Sequence, residues 1–278
     1  MQKSIPLSPD GHVLPGIAQH SLKKIGLHNR YAEIFATGMS KSFLQRVYIG
    51  LCAGAGLAYV RGTDRVVETS ALAVFKIPTP FSKYILVDGD PACCAALEHR
   101  IGGLRGEFDF KVICREVNES IPEVVAELPA YSKENRLLTL CFVDPFRMDV
   151  RFDAIRELGS QYFVDFIILM MNSDLKRNYR KYFDDPNDRR VEEFLGEPDW
   201  RMKQVASGMK PVPWLIGRFM DGMEEMGYIR PKTEDILQVN NSRNVALYHL
   251  AFFSRSERGI DFWRKSLQGT STQLGLGI

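Results

Sequence analysis

Short apolar runs recur along the first two thirds of this chain, each followed by a turn and then by apolar residues at helical spacing. Val47–Cys52, Tyr84–Val87, Phe110–Cys114, Leu137–Val143 and Val164–Met171 read as five strands. Between them the pattern predicts helices near Thr69–Lys76, from Pro91 to Gly102, from Ile121 to Leu128, and from Val150 to Leu158 with a stop at Gly159. Asp90 is placed to cap the second of these, and Ser120 with Glu123 resembles a capping box for the third. An amphipathic helix from Gln19 to Thr37 comes first, with Leu22, Ile25, Ala32, Phe35 and Met39 near one face and Lys23, Lys24 and Arg30 off it. Leu57 to Glu68 reads as a polar loop. Nearly unbroken apolar strands alternating with helices imply an α/β chain with a mostly parallel sheet covered on both faces.

The later part is organised differently. Residues 173–212 are polar, punctuated by Pro186, Pro198 and Pro211, and read as a small helical insertion. Pro213 opens a helix carrying Leu215, Phe219, Met223 and Met226, closed by Gly227. Ile236–Val239 and Val245–Phe253 flank the turn-rich Asn240 to Asn244 as a hairpin. The expected organisation is an irregular arm (1–18), a Rossmann-like core (19–172), the insertion (173–212), a helix and hairpin (213–268) and a flexible tail (269–278).

Composition narrows the function classes. A net charge of +2 gives no global pull toward nucleic acid or anionic membrane. No apolar stretch reaches the roughly 18 residues of a membrane span, and no secretory pattern opens the chain, so a cytoplasmic protein is expected. Cys52, Cys93, Cys94, Cys114 and Cys141 have neither zinc nor redox spacing and read as small buried hydrophobes. The histidines form no metal-spaced set, so no metal is expected.

Ligands of open parallel sheets sit at the strands' carboxyl ends. Here those ends carry Ala53-Gly54-Ala55-Gly56, then Asp88, then Glu116 or Asn118, then Asp144. Glycines after a strand let a ligand approach the backbone, although the same pair also makes an ordinary tight turn. Tyr59 stands where a dinucleotide fingerprint needs its third glycine, and no phosphate loop occurs, which counts against NAD and ATP hydrolysis. Asp88 can accept both hydroxyls of a ribose. Asp144-Pro145-Phe146 ends the fourth strand, because proline cannot extend the ladder. It partly matches the Asp-Pro-Pro-aromatic turn with which nucleic-acid adenine methylases hold a target amino group. Lys176, Arg177, Arg180 and Lys181 are the cations from which a nucleic-acid contact would be made. Between Asp174 and Arg190, six Lys/Arg against four Asp leave only +2. Tyr179, Tyr182 and Phe183 fit either base stacking or a local core.

The run Val47 to Gly56, then Glu68 to Leu72, Val87 to Asp90, Phe142 to Phe146, and Leu247 to Ser254 followed by Gly259, Phe262 and Trp263, resembles the three-Cys-motif partner proteins. The resemblance spans about Lys24 to Trp263. It implies a Rossmann-like class I methyltransferase fold, with a seven-stranded sheet finished by a C-terminal antiparallel hairpin. It also implies S-adenosylmethionine as cofactor and a separate three-Cys-motif protein as partner. In that reading Ala53, Gly54 and Gly56 line the methionine end, Asp88 holds the ribose, and Glu116 or Asn118 lies near the adenine. Asp144, Pro145 and Phe146 border the methyl acceptor, a nucleic acid or nucleotide. The sequence departs from the family at Gly50, where an acid is usual, at Cys52, where Phe is usual, and at Arg147, where Gly is usual. Loss of that acid raises the alternative of a non-catalytic binding protein on a degenerate methyltransferase fold.

Overall fold

The computed structural model describes residues 6–161, 163–240 and 246–273. Seven strands make one sheet: β1 (Gln45–Leu51), β2 (Lys83–Asp88), β3 (Phe110–Cys114), β4 (Leu137–Val143), β5 (Val164–Met170), β6 (Leu237–Asn240) and β7 (Ala246–Phe253). Their spatial order is β3-β2-β1-β4-β5-β7-β6. The first five are mutually parallel, and β7 runs antiparallel to both its neighbours. This is the expected Rossmann-like methyltransferase fold, with the hairpin completing a seven-stranded sheet.

Six helices cover the sheet: α1 (Ser21–Met39), α2 (Pro91–Gly102), α3 (Val117–Ala126), α4 (Phe152–Gln161), α5 (Pro211–Glu225) and α6 (Glu257–Gln273). Alternate strand residues feed two cores, because successive side chains point to opposite faces. Tyr48, Leu86, Leu140 and Phe252 pack with Tyr31 and Phe35 of α1, Leu97 of α2 and Trp263 of α6. Ile49, Val87, Cys141 and Ile168 pack with Val124 of α3, Ile155 of α4 and Phe219 of α5. Strands β4 and β5 are buried at every position, which explains why their sequences are apolar without alternation.

Several local expectations give way to packing. Leu57–Val60 and Val66–Glu68 are strands rather than loop, and with Gly16–Ile17 of the supposed irregular arm they form a separate three-stranded sheet. Helix α3 begins at Val117, four residues early, capped by Glu116. Ser120 lies inside it and donates to Val117 O, so the capping-box reading fails. Helix α4 continues through Gly159 to Gln161; Gly159 marks close packing instead, since a Cβ there would come within 2.8 Å of Met226 and 2.9 Å of the Tyr228 hydroxyl. Helix α6 runs on to Gln273, past the start of the expected tail, whose last five residues lie outside the described ones, as does the hairpin turn at 241–245. Cys114 is exposed and Cys52 half-buried, against the expectation of five buried thiols.

The insertion comprises short helices Asn172–Arg177, Arg190–Leu195 and Trp200–Ser207, with a wide π-helical turn at Arg180–Asp184. Tyr182, Phe183, Leu195 and Trp200 join the core beneath α4 and α5, so Tyr182 and Phe183 serve a local core. No helix among the described residues is long and apolar enough to cross a membrane.

Asp165 is the one polar residue within β5, and it is buried. Burial lifts its carboxyl to about 7, offset in part by a hydrogen bond with Ser254 and the nearby Arg255 charge. The native protein therefore keeps a proton that the unfolded chain releases near pH 4. Stability should fall as pH rises from about 4 to about 7, by up to about 1.4 kcal/mol per pH unit. Urea titrations of Asp165→Asn are expected to lose that slope; a variant that keeps the wild-type slope would remove Asp165 as its source.

Candidate active site at the strand ends

Backbone hydrogen bonds draw the carboxyl ends of four strands into one row. Ala53 N donates to Val87 O at 2.8 Å, Asp144 N to Leu51 O at 3.2 Å, and Arg115 N to Asp88 O at 3.0 Å. The glycine bend after β1 sits in the middle of this row. Gly54 adopts φ +68°, and a Cβ added there would meet nothing within 4 Å, so the bend opens onto free space. Gly56, at φ +80°, is required for a different reason: its Cβ would approach Leu97 of α2 to 2.9 Å. Cys52 is the only non-glycine among the described residues at positive φ, +62°. Such a backbone costs an L-residue roughly 1–2 kcal/mol, a strain located at the mouth of the site.

Asp88 clamps this bend. Its Oδ2 accepts from Gly54 N at 2.7 Å and its Oδ1 from Asp90 N at 2.9 Å. Asp90 in turn caps α2 through Ala92 N, as its position predicts. The Cys52 thiol shows how far the acids converge. Burial raises its pKa first, and the charges of Asp144, Asp88, Glu116 and Asp149 all raise it further. A thiol so placed stays protonated and is no nucleophile.

The expected adenine-side residues are engaged within the protein. Glu116 caps α3 by accepting from Asn118 N at 2.8 Å. The Asn118 side chain donates to Glu116 and to Asp149 O, and accepts from Arg151 N, so it ties α3 to the loop after β4. Within the Asp144-Pro145-Phe146 turn the three residues diverge. Pro145 is buried, while Phe146 is 79% exposed. Asp144 is paired with Lys24 of α1, at 2.6 Å from Oδ1, and both side chains are largely shielded.

Lys24 is a site residue that sequence reading placed on a solvated helix face. It lies 120 residues from Asp144, and nothing local marks it. Thr69 and Ser70 were likewise noticed only as part of the family run. Thr69 N donates to Gly56 O at 2.8 Å, and both hydroxyls are buried without a hydrogen-bond partner among the described residues. Buried hydroxyls beside a glycine bend have unmet capacity that a ligand can satisfy. The bend is held from behind by Arg100 of α2. Its guanidinium donates to Ala55 O at 2.5 Å and Val13 O at 3.1 Å, and binds both oxygens of Asp10. That pairing holds the Asp10 carboxyl down to about 2. Among the described residues no cluster of His, Cys, Asp and Glu could hold a metal.

Gly50 faces the core that contains Tyr48. A Cβ there would lie 2.9 Å from Leu86 Cδ2 and 3.3 Å from the Tyr48 ring. The space beside Gly50 is already filled, and an acid there would fit only if Leu86 swung away.

No family model matches the chain, and no curated protein does. Among solved structures, it is similar to protein LPL1258 from Legionella pneumophila, of the DUF519 family, with a TM-score of 0.51 at 10% identity, over 88% of this chain and 91% of that one. Looser likenesses include TYW2 of M. jannaschii, solved with AdoMet (TM-score 0.37, 12% identity, 86% of this chain and 77% of that one). Another is geranyl diphosphate C-methyltransferase from Streptomyces coelicolor (TM-score 0.38, 11% identity, 80% and 77%). The first likeness supports the fold; the other two are too loose to carry an argument.

Proposed function

We propose that this chain binds S-adenosylmethionine at the strand ends and transfers its methyl group to a nucleic acid or nucleotide. The observation that carries this is the clamp of Asp88 on the Gly54 amide, beside open space over Gly54. Asp88 would hold the ribose, Ala53, Gly54 and Gly56 would line the methionine end, and the orphaned hydroxyls of Thr69 and Ser70 would gain partners. Glu116 borders the adenine side through the α3 cap, with Asn118 fixing that cap.

The bound cofactor supplies a methyl group already activated by its sulfonium; the protein supplies position and electrostatics. Asp144 is the carboxylate placed to hold the acceptor's proton-bearing group, and Lys24 positions Asp144. Phe146 offers an exposed ring on the same turn for stacking. Lys24→Met is expected to lower methyl transfer about tenfold or more while leaving cofactor affinity within a few-fold. An equal loss of both would assign Lys24 to cofactor binding instead.

Calorimetry with S-adenosylmethionine at millimolar concentration tests the reading, followed by transfer of labelled methyl to nucleic acids and nucleotides. Absence of binding at that concentration would sink it. The close packing of Leu86 and Tyr48 on Gly50 favours a second reading, a binding module with a degenerate pocket. Gly50→Asp separates the two: affinity for the cofactor should rise if the pocket is live and stay flat if it is vestigial. A three-Cys-motif protein, the partner suggested by the family resemblance, would serve either reading.

A further inference from the structure

We propose that the cationic cavity beside the Asp144–Phe146 turn binds the phosphate of a nucleoside phosphate. The proposal deepens the methyl-transfer reading and rests on it only for the ligand's role as acceptor.

The cavity holds about 340 Å³ and is lined by Arg147, Arg177, Lys181 and Arg190. That volume lies at the small end of ligand pockets, roughly 300–1,000 Å³. Asp174 is the one carboxylate in the lining, so four cations less one anion leave +3. The whole chain carries only +2. Cations therefore outnumber carboxylates at this concavity, with Asp188 and Asp149 beside Arg190. Lys176 and Arg180, also candidates from the sequence, lie outside the lining.

Asp174 is already committed to the protein. It is buried, accepts from the Tyr182 hydroxyl and Asn178 Nδ2 at 2.8 Å each, and from Met148 N at 3.3 Å. It thereby fixes the insertion against the loop after β4. Arg190 is partly neutralised by Asp188 at 2.8 Å and Asp149 at 3.7 Å. Among the described residues Arg177 has only Asp174 as an ion-pair partner, 3.9 Å away. Among the described residues neither Arg147 nor Lys181 has a carboxylate within ion-pair distance. Like charges gathered in one hollow repel, and a dianion with several acceptor oxygens relieves that repulsion. A guanidinium also matches phosphate in a bidentate way.

Position selects a nucleoside phosphate over other anions. Arg147 follows Asp144 by three residues, so their Cα atoms lie no more than about 11 Å apart. Between them Phe146 exposes its ring. A phosphate in the cavity would carry its attached nucleoside across that ring toward Asp144. The hollow is concave, which suits a phosphate on a free nucleotide or on an extruded nucleotide of a single strand.

The test uses the full chain without cofactor. Inorganic phosphate, adenosine and guanosine 5′-monophosphates, the matching nucleosides and a short single-stranded oligonucleotide are titrated by calorimetry. The nucleotides are expected to bind at least tenfold more tightly than their nucleosides. The double variant Arg147→Gln/Lys181→Gln should weaken nucleotide binding at least tenfold, with Tm and S-adenosylmethionine affinity unchanged. Tighter binding of the oligonucleotide than of the mononucleotide identifies a strand as the source; the reverse identifies a free nucleotide. No binding of any phosphate, equal affinity for nucleoside and nucleotide, or a double variant as good as wild type overturns the proposal. A chain that binds nucleotide but not S-adenosylmethionine removes the methyl-transfer reading and leaves the cavity's assignment standing.

Discussion

Asp88→Ala is expected to lower affinity for S-adenosylmethionine at least about 100-fold. The carboxylate acts twice. It holds the amides of Gly54 and Asp90, which shapes the bend, and in the proposed complex it accepts the ribose hydroxyls. Charge-assisted hydrogen bonds contribute roughly 1.5–3 kcal/mol each, and each 1.4 kcal/mol is about tenfold. Loss of two therefore reaches 100-fold at the low end. Asp88→Asn separates the two jobs. An asparagine oxygen can still accept from Gly54 N but its amide nitrogen cannot accept from Asp90 N, so the bend should survive in part while the charge is gone. Intermediate affinity for Asn and near-complete loss for Ala is the expected order in calorimetry. Unchanged affinity in the alanine variant would show that the ribose is not held here.

Arg100→Ala should destabilise the fold by about 1–3 kcal/mol, the cost of leaving buried hydrogen-bond acceptors without their donor. The guanidinium is almost fully enclosed, and its removal leaves the carbonyls of Ala55 and Val13 without their donor and the exposed Asp10 to water. Those groups join the N-terminal arm to the glycine bend, so cofactor affinity should fall as well. The pairing also carries a pH signature. The Asp10 carboxyl is held below its ordinary value of 3.8, down to about 2, chiefly by its hydrogen bonds to Arg100. Its stabilisation is complete above pH 4 and is lost as pH falls toward 2. Urea melts from pH 2 to 5 should show that acid limb in wild type and lack it in Arg100→Ala. Asp10→Asn added to Arg100→Ala should cost less than the sum of the two singles, because the residues share one interaction. Strict additivity would mean that the pair is not a functional unit.

The alternation of apolar strands with helical spacing was enough to set a mostly parallel sheet covered by helices, because burial on both faces forces that pattern; the seven-stranded form came from the family resemblance. The alternation located β1 to β5 and the hairpin to within two residues. The order of the acids along the chain also pointed to the strand ends, since every β-to-α turn of such a sheet opens on the same side. Gly54, Asp88 and Asp144 were therefore legible as residue types at turn positions.

The roles of other residues were not legible in this way. Lys24 lay off the apolar face of its helix and Arg100 drew no reading at all, and only the packing of α1 and α2 against the sheet turned them inward to Asp144 and Asp10. The short strand Leu57–Val60 is apolar throughout but only four residues long, and it pairs with two segments of distinct origin, so its own pattern was too brief to declare it. Asn118 read as a ligand contact, but tertiary contacts turned its side chain into a clamp between α3 and the loop after β4. The cationic cavity is the clearest case. Arg147 comes from a β-to-α turn, and Arg177, Lys181 and Arg190 come from an insertion whose overall charge is unremarkable. The sequence determined the sheet and the row of acids at its edge, because these follow from local period and from turns. The tertiary structure alone decided which charges meet, because Coulomb interactions depend on distance through space rather than along the chain.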